Sequence, residues 1–299
     1  MNPGIYLVHK PVGQSSFSLV RSLMEEVRAA GIRRDRLPVC HGGALDPFAE
    51  GLVLLLAGEA TRLMDLMHPV PKTYVAEIAW GAETDNGDPL GRVVARADAR
   101  TLTPAKLDAA LGPLIGWQDQ VPPATSNKRV AGERAYRRAH RGESFVLPPS
   151  RVYLHEARWL DHRLPATSRL RLVTGGGYYV RSLARDLGRA TGALAHLAAL
   201  RRTSVGPWQD PPPGERVVLR GLDLFPWCAS VQVAPDEIAT LRSGRPISPR
   251  PIAPPSWTLP AGYPDPRAPL RGLHQQTLIA LLREAVDGLI AAPVLRSPL

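Results

Sequence analysis

The spacing of apolar residues predicts several strands in the first two thirds of the chain. Residues 72–80 (KTYVAEIAW) carry apolar or aromatic side chains at every second position, the period of a strand with one buried face. Residues 52–57 (LVLLLA) are continuously apolar and predict a fully buried strand. Residues 4–11 predict a third strand, and the turn-forming DNGDPLG at 85–91 predicts a hairpin.

Helices are predicted where apolar residues recur every three or four positions. Residues 16–30 and 59–68 have this period. Thr103 followed by Pro104 supplies an N-cap and a first helical position. Further on, RLRLV, three glycines and a helical period that ends at Gly192 predict a strand, a loop and a helix.

The last third of the chain has a different composition. Residues 207–215 (PWQDPPPGE) predict a linker to a second unit of about 85 residues. Residues 245–270 are too rich in proline for regular structure. In residues 275–288, the helical spacing of the leucines and their intrinsic propensity favour a helix.

The net charge of the chain predicts an anionic partner. The chain has 37 basic and 27 acidic residues, a formal net charge of +10. Only four of the basic residues are lysines. Arginine suits RNA because it forks onto phosphate and stacks on bases, but a genomic bias toward arginine codons also explains the ratio. We therefore take the charge, and not the ratio, as evidence for a nucleic acid.

Cysteine content and hydropathy predict a cytoplasmic protein that does not enter a membrane. Two cysteines, Cys40 and Cys228, exclude a disulfide framework and fit a reducing compartment. The N-terminal residues show no basic region followed by an apolar core, so no signal peptide is predicted. The longest apolar run, at 52–57, is far too short to span a bilayer.

The polar stretch at about 120–150 is a candidate RNA contact. It is bounded by pairs of prolines, and between Lys128 and Glu143 it has six basic residues against two glutamates. A run of charge is usually a solvated surface. Here the imbalance favours a mobile basic arm that binds phosphates.

One isolated carboxylate raises a question of chemistry. Asp46, in HGGALDPFAEG at 41–51, has no charged residue within three positions on either side. An Asp-Pro pair is ordinary turn chemistry, and this is the better interpretation of the segment taken alone. The alternative is that the glycines bend the backbone tightly and present one carboxylate as a nucleophile.

Metal and nucleotide sites are not predicted. The eight histidines are scattered without a CxxC or HxxxH pair, so we expect no zinc. Cys40 beside His41 is better explained as a structural cysteine, because side chains adjacent in sequence rarely face each other. The TGGGYYV segment could hold a phosphate at a helix N-terminus but lacks the spacing of a nucleotide-binding loop, so we expect no cofactor.

Five separated blocks resemble one family in order and spacing. They are HKPVGQSSF, HGGALDPFAEGLVLLLAGEATRL, KTYVAEIAWGAETDNGDPLG, PPATSNKRVAGERAYRRAHRGE, and GGGYYVRSLARDLGRATG with HLAALRRTSVG. Together they resemble the TruB family of pseudouridine synthases over about residues 5–210. The tail resembles, more loosely, the small PUA-like RNA-binding domain of bacterial members.

The resemblance implies an architecture. It is an α+β pseudouridine-synthase fold with a mixed, largely antiparallel central sheet flanked by helices, followed by a small β-rich PUA-like domain. We place the catalytic domain at residues 1–212, with the basic segment at about 120–150 as an insertion, and the RNA-binding domain at 213–299. The family's small domain implies a β-hairpin turning near Asp287-Gly288 instead of a helix, and we favour the strands.

The resemblance also implies a reaction. In this family the aspartate of the GALDP loop is the nucleophile, which falls on Asp46, and uridine 55 in the T loop of tRNA is isomerised to pseudouridine after the base flips out. Attack on the uracil and attack on the ribose C1′ both stay open. A carboxylate in an apolar loop tends to protonate, so it needs a cation, which the family supplies from the position of Arg181 in YYVR.

Other positions carry substrate-binding roles by the same resemblance. Tyr74 would stack on the flipped uracil, although a core aromatic is a serious alternative for it. Tyr179 and Leu200 would line the pocket, and His41 would fill the gap left by the base, unless it is a plain loop histidine. Lys10 would support the active-site loop.

Departures from the family pattern and two rival functions complete the prediction. Gly42 replaces the family's threonine, which puts one loop hydrogen bond in doubt.

The expected partner is the T stem-loop of tRNA, bound by a monomer without metal. One rival is a non-catalytic RNA-binding or tRNA-folding protein, against which Asp46, Tyr74 and Arg181 argue together. The other is the archaeal and eukaryotic relative that works with a guide RNA, against which the short N-terminus and the lack of a lysine-rich tail argue.

Overall fold

The computed structural model describes residues 2–33, 37–126, 128–130, 132–296 and 298–299. Five α-helices are described within them. In chain order they are α1 (Ser16–Ala29), α2 (Pro104–Leu111), α3 (Ala135–His140), α4 (Val180–Thr191) and α5 (Pro235–Arg242). Short 3-10 helices span Gly58–Met67, Gly112–Leu114 and Gly221–Asp223.

Strands account for most of the remaining regular structure. In chain order they are β1 (Gly4–Lys10), β2 (Val39–His41), β3 (Glu50–Ala57), β4 (Lys72–Trp80), β5 (Ala82–Thr84), β6 (Val93–Arg96), β7 (Gly116–Gln120), β8 (Arg129–Val130), β9 (Glu133–Arg134), β10 (Ser150–Arg163), β11 (Thr167–Thr174), β12 (Ala195–Val205), β13 (Trp208–Gln209), β14 (Arg216–Leu219), β15 (Ser230–Gln232), β16 (Leu270–His274), β17 (Thr277–Ala285) and β18 (Gly288–Val294). None of the helices in these described ranges is long and apolar enough to cross a membrane.

Contacts between residues divide the chain into two compact units. The first unit contains the N-terminal residues through Asp46 together with Gly51–Val70 and Val205–Leu299. The second contains Pro47–Glu50 and Pro71–Ser204. The boundary at 212/213 between a catalytic and an RNA-binding domain stays a prediction.

The first unit is built on two groups of strands. β1 lies between β14 and β3, β2 pairs with β3, and all three pairings are antiparallel. The C-terminal strands follow the order β15-β16-β17-β18, with β15 parallel to β16 and the other pairs antiparallel. The predicted hairpin at 275–288 is thereby confirmed, because β17 and β18 pair antiparallel across a turn at 286–287.

One hydrophobic core joins the two ends of the chain within this unit. Ile5 and Leu54 from the N-terminal strands belong to the same buried cluster as Phe225 and Leu278 from the C-terminal part. Trp208 is buried in this cluster too. The His9 ring lies 3.0 Å from the Asp210 carboxylate, and both side chains are buried. The linker prediction is therefore wrong for Trp208 and Asp210, because their side chains are buried within the unit.

The second unit has the strand order β12-β4-β11-β10-β7. β11 pairs antiparallel with β4 and with β10, and β10 pairs antiparallel with β7. The predicted alternation in β4 is confirmed, since every second residue is buried. A hairpin does form around the DNGDPLG turn, between β5 and β6, but its first strand is Ala82–Thr84 and not the predicted strand at 72–80, which pairs with β11 and β12.

Local sequence signals set the ends of the helices. Ser15 caps α1 by accepting a hydrogen bond from the Ser18 amide, and Thr103 caps α2 in the same way from the Lys106 amide. α4 ends at Gly192, whose φ of 71° is the left-handed conformation that glycine adopts readily. The segment predicted as a helix at 59–68 is a 3-10 helix. The predicted α+β class, with a mixed, largely antiparallel sheet and a β-rich C-terminal region, is confirmed.

Candidate active site

The Asp46 loop is fastened to its unit at two backbone positions. The Gly42 amide donates to the Leu54 carbonyl at 2.8 Å. The Ser16 hydroxyl accepts from the Leu45 amide at 2.8 Å and donates to the Leu45 carbonyl at 3.1 Å. Asp46 follows directly and is half-buried. The loop therefore has a defined backbone path up to the residue before the carboxylate.

Close packing accounts for Gly42 in this loop. A Cβ built on Gly42 would lie 3.0 Å from Leu56 Cδ1 and 3.3 Å from both Leu54 Cβ and Met67 Cγ. These distances are shorter than ordinary van der Waals contacts, so a side chain would displace its neighbours. The departure from the family's threonine thus coincides with a core that fills the space of that side chain.

Lys10 supports a neighbouring loop in the same unit. Its side chain is completely buried, and its ammonium group donates to the Pro11 carbonyl at 2.9 Å and the Gln14 carbonyl at 2.8 Å. The lysine thereby ties the PVGQ segment to the end of β1. The support of the Asp46 loop that the sequence suggests for Lys10 stays a prediction.

His41 and Cys40 lie in β2, directly before the loop. Both residues are half-buried. Burial raises the pKa of the Cys40 thiol, which disfavours the thiolate that a nucleophilic cysteine requires. This agrees with a structural role for Cys40.

Arg181 is held from two loops of the second unit. It lies in the first turn of α4 and is only 4% exposed. One of its terminal nitrogens donates to the Asn86 carbonyl at 3.0 Å and the Thr125 hydroxyl at 2.7 Å, and the other donates to the Thr125 carbonyl at 3.2 Å. Asp88 lies 3.7 Å from the same guanidinium and is also buried. The guanidinium is thus oriented by neutral acceptors, and the carboxylate of Asp88 lies close to it.

The turn that carries Asn86 requires a glycine. Gly87 has a φ of 77°, and a Cβ at this position would lie 3.2 Å from the Cβ of Arg181. Asn86 and Asp88 stabilise the same turn, because the Asp88 amide donates to the Asn86 side chain and the Leu90 amide donates to Asp88. The DNGD turn therefore packs against Arg181 and presents the Asn86 carbonyl to its guanidinium.

Tyr179 is fixed through its backbone. It is the N-cap residue of α4, and its amide donates to the Gln120 side-chain oxygen at 2.9 Å. The Gln120 amide nitrogen donates to the Tyr179 carbonyl at 3.1 Å. This reciprocal pair of bonds sets the start of the helix that carries Arg181.

Tyr74 and Leu200 are buried residues on strands of the second unit, 8% and 5% exposed. Tyr74 is paired with Leu172 across β4 and β11. Lys72, two residues earlier, is buried beside a second cation. Burial, and to a lesser extent the charge of Arg202, lowers the pKa of Lys72 to about 7.

The basic segment is only partly neutralised by its own acids. Arg141 donates to Glu133 at 2.7 and 2.8 Å and to Glu143 at 2.6 Å, and Arg138 donates to Glu143 at 2.7 Å. The Arg137 guanidinium lies 6.0 Å from the Tyr136 ring centre. Residues 127 and 131 of this segment lie outside the described residues. The two glutamates thus organise Arg138 and Arg141, and the other basic residues give the segment its excess charge.

The candidate residues fall into two groups. The first unit holds Lys10, His41 and Asp46, and the second holds the remainder: Tyr74, Tyr179, Arg181 and Leu200. Sequence reasoning missed the residues that orient these groups, which are Ser16, Asp88, Gln120 and Thr125. The DNGD turn signal was visible, but its contact with Arg181 joins residues about 95 positions apart. Among the described residues, no group of three or more His, Cys, Asp and Glu could hold a metal ion.

Comparison with known proteins defines the class first. Residues 33–180 match the model of the TruB family pseudouridylate synthase N-terminal domain, and residues 181–218 match the tRNA pseudouridylate synthase B C-terminal domain. The matched ranges contain every candidate residue except Lys10. The fold and these matches define a pseudouridylate synthase, an isomerase that converts uridine in RNA.

Relatives of established name narrow the class to one family. The chain is 39% identical over 219 residues to tRNA pseudouridine synthase B of Xanthomonas campestris, covering 73% of this chain and 68% of that one. The corresponding protein of Thermobifida fusca is 38% identical over 215 residues, covering 70% and 71%. The chain belongs to the TruB family.

Solved structures share the fold at low sequence identity. A chain of an H/ACA ribonucleoprotein bound to a substrate RNA containing 2′-deoxyuridine matches 98% of this chain and 85% of its own length with a TM-score of 0.64 and 17% identity. A chain of a Cbf5-Nop10-Gar1 complex matches 97% and 83%, with a TM-score of 0.64 and 20% identity. These likenesses confirm the pseudouridine-synthase fold expected from the sequence.

Proposed function

We propose that this enzyme acts on tRNA and isomerises uridine 55 of the T loop to pseudouridine. The observation that carries the proposal is Asp46, a half-buried carboxylate directly after a loop whose backbone is fastened at Gly42 and Leu45. The names of the curated relatives support tRNA as the substrate. Their identity of 38–39%, against 17–20% for the ribonucleoprotein chains, favours the bacterial type over a guide-RNA enzyme.

The proposed chemistry begins with a uridine that leaves its stack and enters the site. Asp46 acts as an anionic nucleophile, on the uracil ring or on the ribose C1′, and the N1–C1′ glycosidic bond breaks. The uracil turns and its C5 bonds to C1′. The bond to Asp46 then breaks, C5 loses its proton and N1 gains one. Arg181 is the cation that keeps Asp46 ionised. Its guanidinium has a fixed orientation in its own unit, which a charge partner needs if it is to act without reorganisation.

Binding roles follow the same assignment. Tyr74 stacks on the uracil, because a ring accepts the base in any orientation as it turns. Tyr179 and Leu200 form the pocket wall, and His41 fills the place of the extruded base. Lys10 supports the active-site loop indirectly, by its hydrogen bonds to the carbonyls of Pro11 and Gln14. The reaction needs no cofactor or metal.

RNA affinity comes from two further regions in this proposal. The basic segment at 120–150 contacts phosphates of the T stem, and residues 213–299 act as a PUA-like RNA-binding domain. The protein works as a monomer. Such contacts supply affinity and register, and the chemical step depends on the residues around Asp46.

The test replaces the nucleophile and measures two properties on one preparation. Asp46→Asn keeps the size and the turn-forming ability of the residue but removes the anion. We expect it to fold, to bind tRNA with an affinity close to that of the wild type, and to form no pseudouridine. Asp65→Asn, at an exposed aspartate of the same unit, is the matched control and should be fully active.

Substrate choice is tested with two RNA hairpins. A T stem-loop should be modified at position 55, and an anticodon stem-loop should not. Substantial turnover by folded Asp46→Asn would remove the nucleophile from the proposal. Equal turnover of both hairpins would overturn the assignment to the T loop, and binding without turnover by the wild type would favour a tRNA-folding protein.

A further inference from the structure

The Ser16 hydroxyl makes two hydrogen bonds with the backbone of Leu45, the residue before Asp46. Its hydroxyl donates to the Leu45 carbonyl at 3.1 Å and accepts from the Leu45 amide at 2.8 Å. Ser16 is 4% exposed and Leu45 is 6% exposed, so these bonds are shielded from water. A hydroxyl is the smallest side-chain group that can donate and accept at once. Ser16 thus satisfies both polar groups of one buried peptide position 29 residues away.

The position of Ser16 is itself fixed by its surroundings. It is the first residue of α1, and Ser15 caps that helix through the Ser18 amide at 3.1 Å. On the other side, buried Lys10 holds the carbonyls of Pro11 and Gln14. The segment from β1 to α1 is therefore anchored before and after Ser16. The hydroxyl reaches the Asp46 loop from a rigid support.

Both backbone groups of Leu45 depend on the Ser16 hydroxyl. The Gly42 amide donates to the Leu54 carbonyl, and three residues later the amide and the carbonyl of Leu45 both bond to the Ser16 hydroxyl. Loss of the Ser16 hydroxyl would leave two buried backbone groups of Leu45 without this partner, and a buried polar group without a hydrogen bond is unfavourable. The loop would move to reach water or another partner. Asp46, one peptide bond further on, would move with it.

We propose that Ser16 is a positioning residue for the Asp46 carboxylate. The proposal rests on the function proposed above, in which Asp46 is the nucleophile. Ser16 does not touch the RNA, because it is buried beneath the loop. Its effect reaches the reaction through the backbone of Leu45, which sets the direction from which Asp46 meets the substrate. Misplacement of a reacting group by about 1 Å can cost about 100-fold in rate.

The distinguishing measurement separates the chemical step from binding. Ser16→Ala should lower the single-turnover rate constant for pseudouridine formation by about 10- to 100-fold at saturating enzyme. The dissociation constant for tRNA should stay within about twofold of the wild-type value. Ser16→Thr keeps the hydroxyl and should recover most of the rate. Ser22→Ala, on the same helix with an exposed hydroxyl bonded to Ser18, is the control and should change neither quantity.

Each outcome decides for or against the positioning role. A purely structural role would lower the melting temperature and the active fraction of Ser16→Ala but leave the rate constant per folded molecule unchanged, and this result would overturn the proposal. Equal rate losses in Ser16→Ala and Ser16→Thr would overturn it too. If Ser16→Ala does not fold, Ser16→Cys, which has similar volume but is a weak hydrogen-bond donor, takes its place under the same criteria. If wild-type protein forms no pseudouridine, the proposed function fails before any Ser16 variant is compared.

Discussion

The carboxylate of Asp88 lies 3.7 Å from the guanidinium of Arg181, and both side chains are less than 10% exposed. A buried charge is costly unless another charge or hydrogen bonds accompany it. Arg181 has both, because Asn86 and Thr125 accept its hydrogen bonds. Asp88 therefore balances the charge of the cation, and the hydrogen bonds to Asn86 and Thr125 fix the direction of its guanidinium.

Asp88→Asn should weaken the chemical step and spare RNA binding. The asparagine can still accept from the Leu90 amide, so the turn survives, but the charge beside Arg181 is lost. We expect the single-turnover rate to fall by about 10- to 100-fold, the equivalent of about 1.4–2.7 kcal/mol. Asp85→Asn, in the same loop but with a side chain 44% exposed, is the control and should be nearly neutral. An Asp88→Asn protein with the wild-type rate would show that the chemical step does not depend on the charge of Asp88.

Arg181→Lys should reduce turnover less completely than Asp46→Asn. A lysine keeps the positive charge but lacks the planar guanidinium, which donates to both the Asn86 carbonyl and the Thr125 hydroxyl. Single-turnover rates of the two variants on the same tRNA give the comparison. An Arg181→Lys protein as inactive as Asp46→Asn would mean that geometry, and not charge alone, is essential at this position.

Restoring a side chain at Gly42 should destabilise the protein. A Cβ there would meet Leu56 at 3.0 Å, and overpacked cores lose about 1–3 kcal/mol. We expect Gly42→Ala to lower the free energy of unfolding by about 1 kcal/mol and Gly42→Thr by more. Urea denaturation monitored by tryptophan fluorescence measures both. Unchanged stability of Gly42→Thr would mean that Leu56 and Met67 yield freely.

Lys72 should make stability depend on pH in the alkaline range. Burial lowers its pKa from 10.5 to about 7 in the folded state, so the unfolded chain binds more protons between these values. Stability contributed by this group is therefore lost as pH falls through 7 and increases as pH rises toward 10.5, by up to about 1.4 kcal/mol per pH unit.

Comparison with Lys72→Met isolates this contribution. The difference in unfolding free energy between the wild type and Lys72→Met should change steadily from pH 7 to pH 10, in favour of the wild type at higher pH. Lys106→Met, at an exposed lysine, is the control and should follow the wild type. A constant difference across this range would mean that the pKa of Lys72 in the folded protein is not lowered into it.

Phe225→Ala should destabilise the N-terminal strands together with the C-terminal ones. Phe225 is fully buried in the cluster that also contains Ile5 and Leu54, and such truncations cost about 3–5 kcal/mol. Leu222→Ala, at a residue 45% exposed, is the control. Hydrogen exchange of the β1 and β3 amides reports whether both ends of the chain lose protection. Loss confined to residues 213–299 would support an independent C-terminal domain.

The sequence by itself determined most of the local structure. The two-residue period of β4, the cap of α2 at Thr103 and the stop of α4 at Gly192 are properties of neighbouring residues, and each is confirmed. The fold class and the family were predicted from five sequence blocks whose order and spacing resemble those of the family. Local propensity alone gave the wrong preference at 275–288, where β17 pairs with β16 and β18 and tertiary pairing overrides the helical spacing.

Only the tertiary structure decided which residues orient the candidate site. Ser16 meets Leu45 across 29 positions, Gln120 meets Tyr179 across 59, and Arg181 meets Asn86 across 95. The same holds for Gly42, whose lack of a side chain is explained by Leu56 and Met67 packed against it. Periodicity and capping act within a few residues of the chain. Contacts between distant segments depend on how the strands pair, and a single sequence carries no local signal for them.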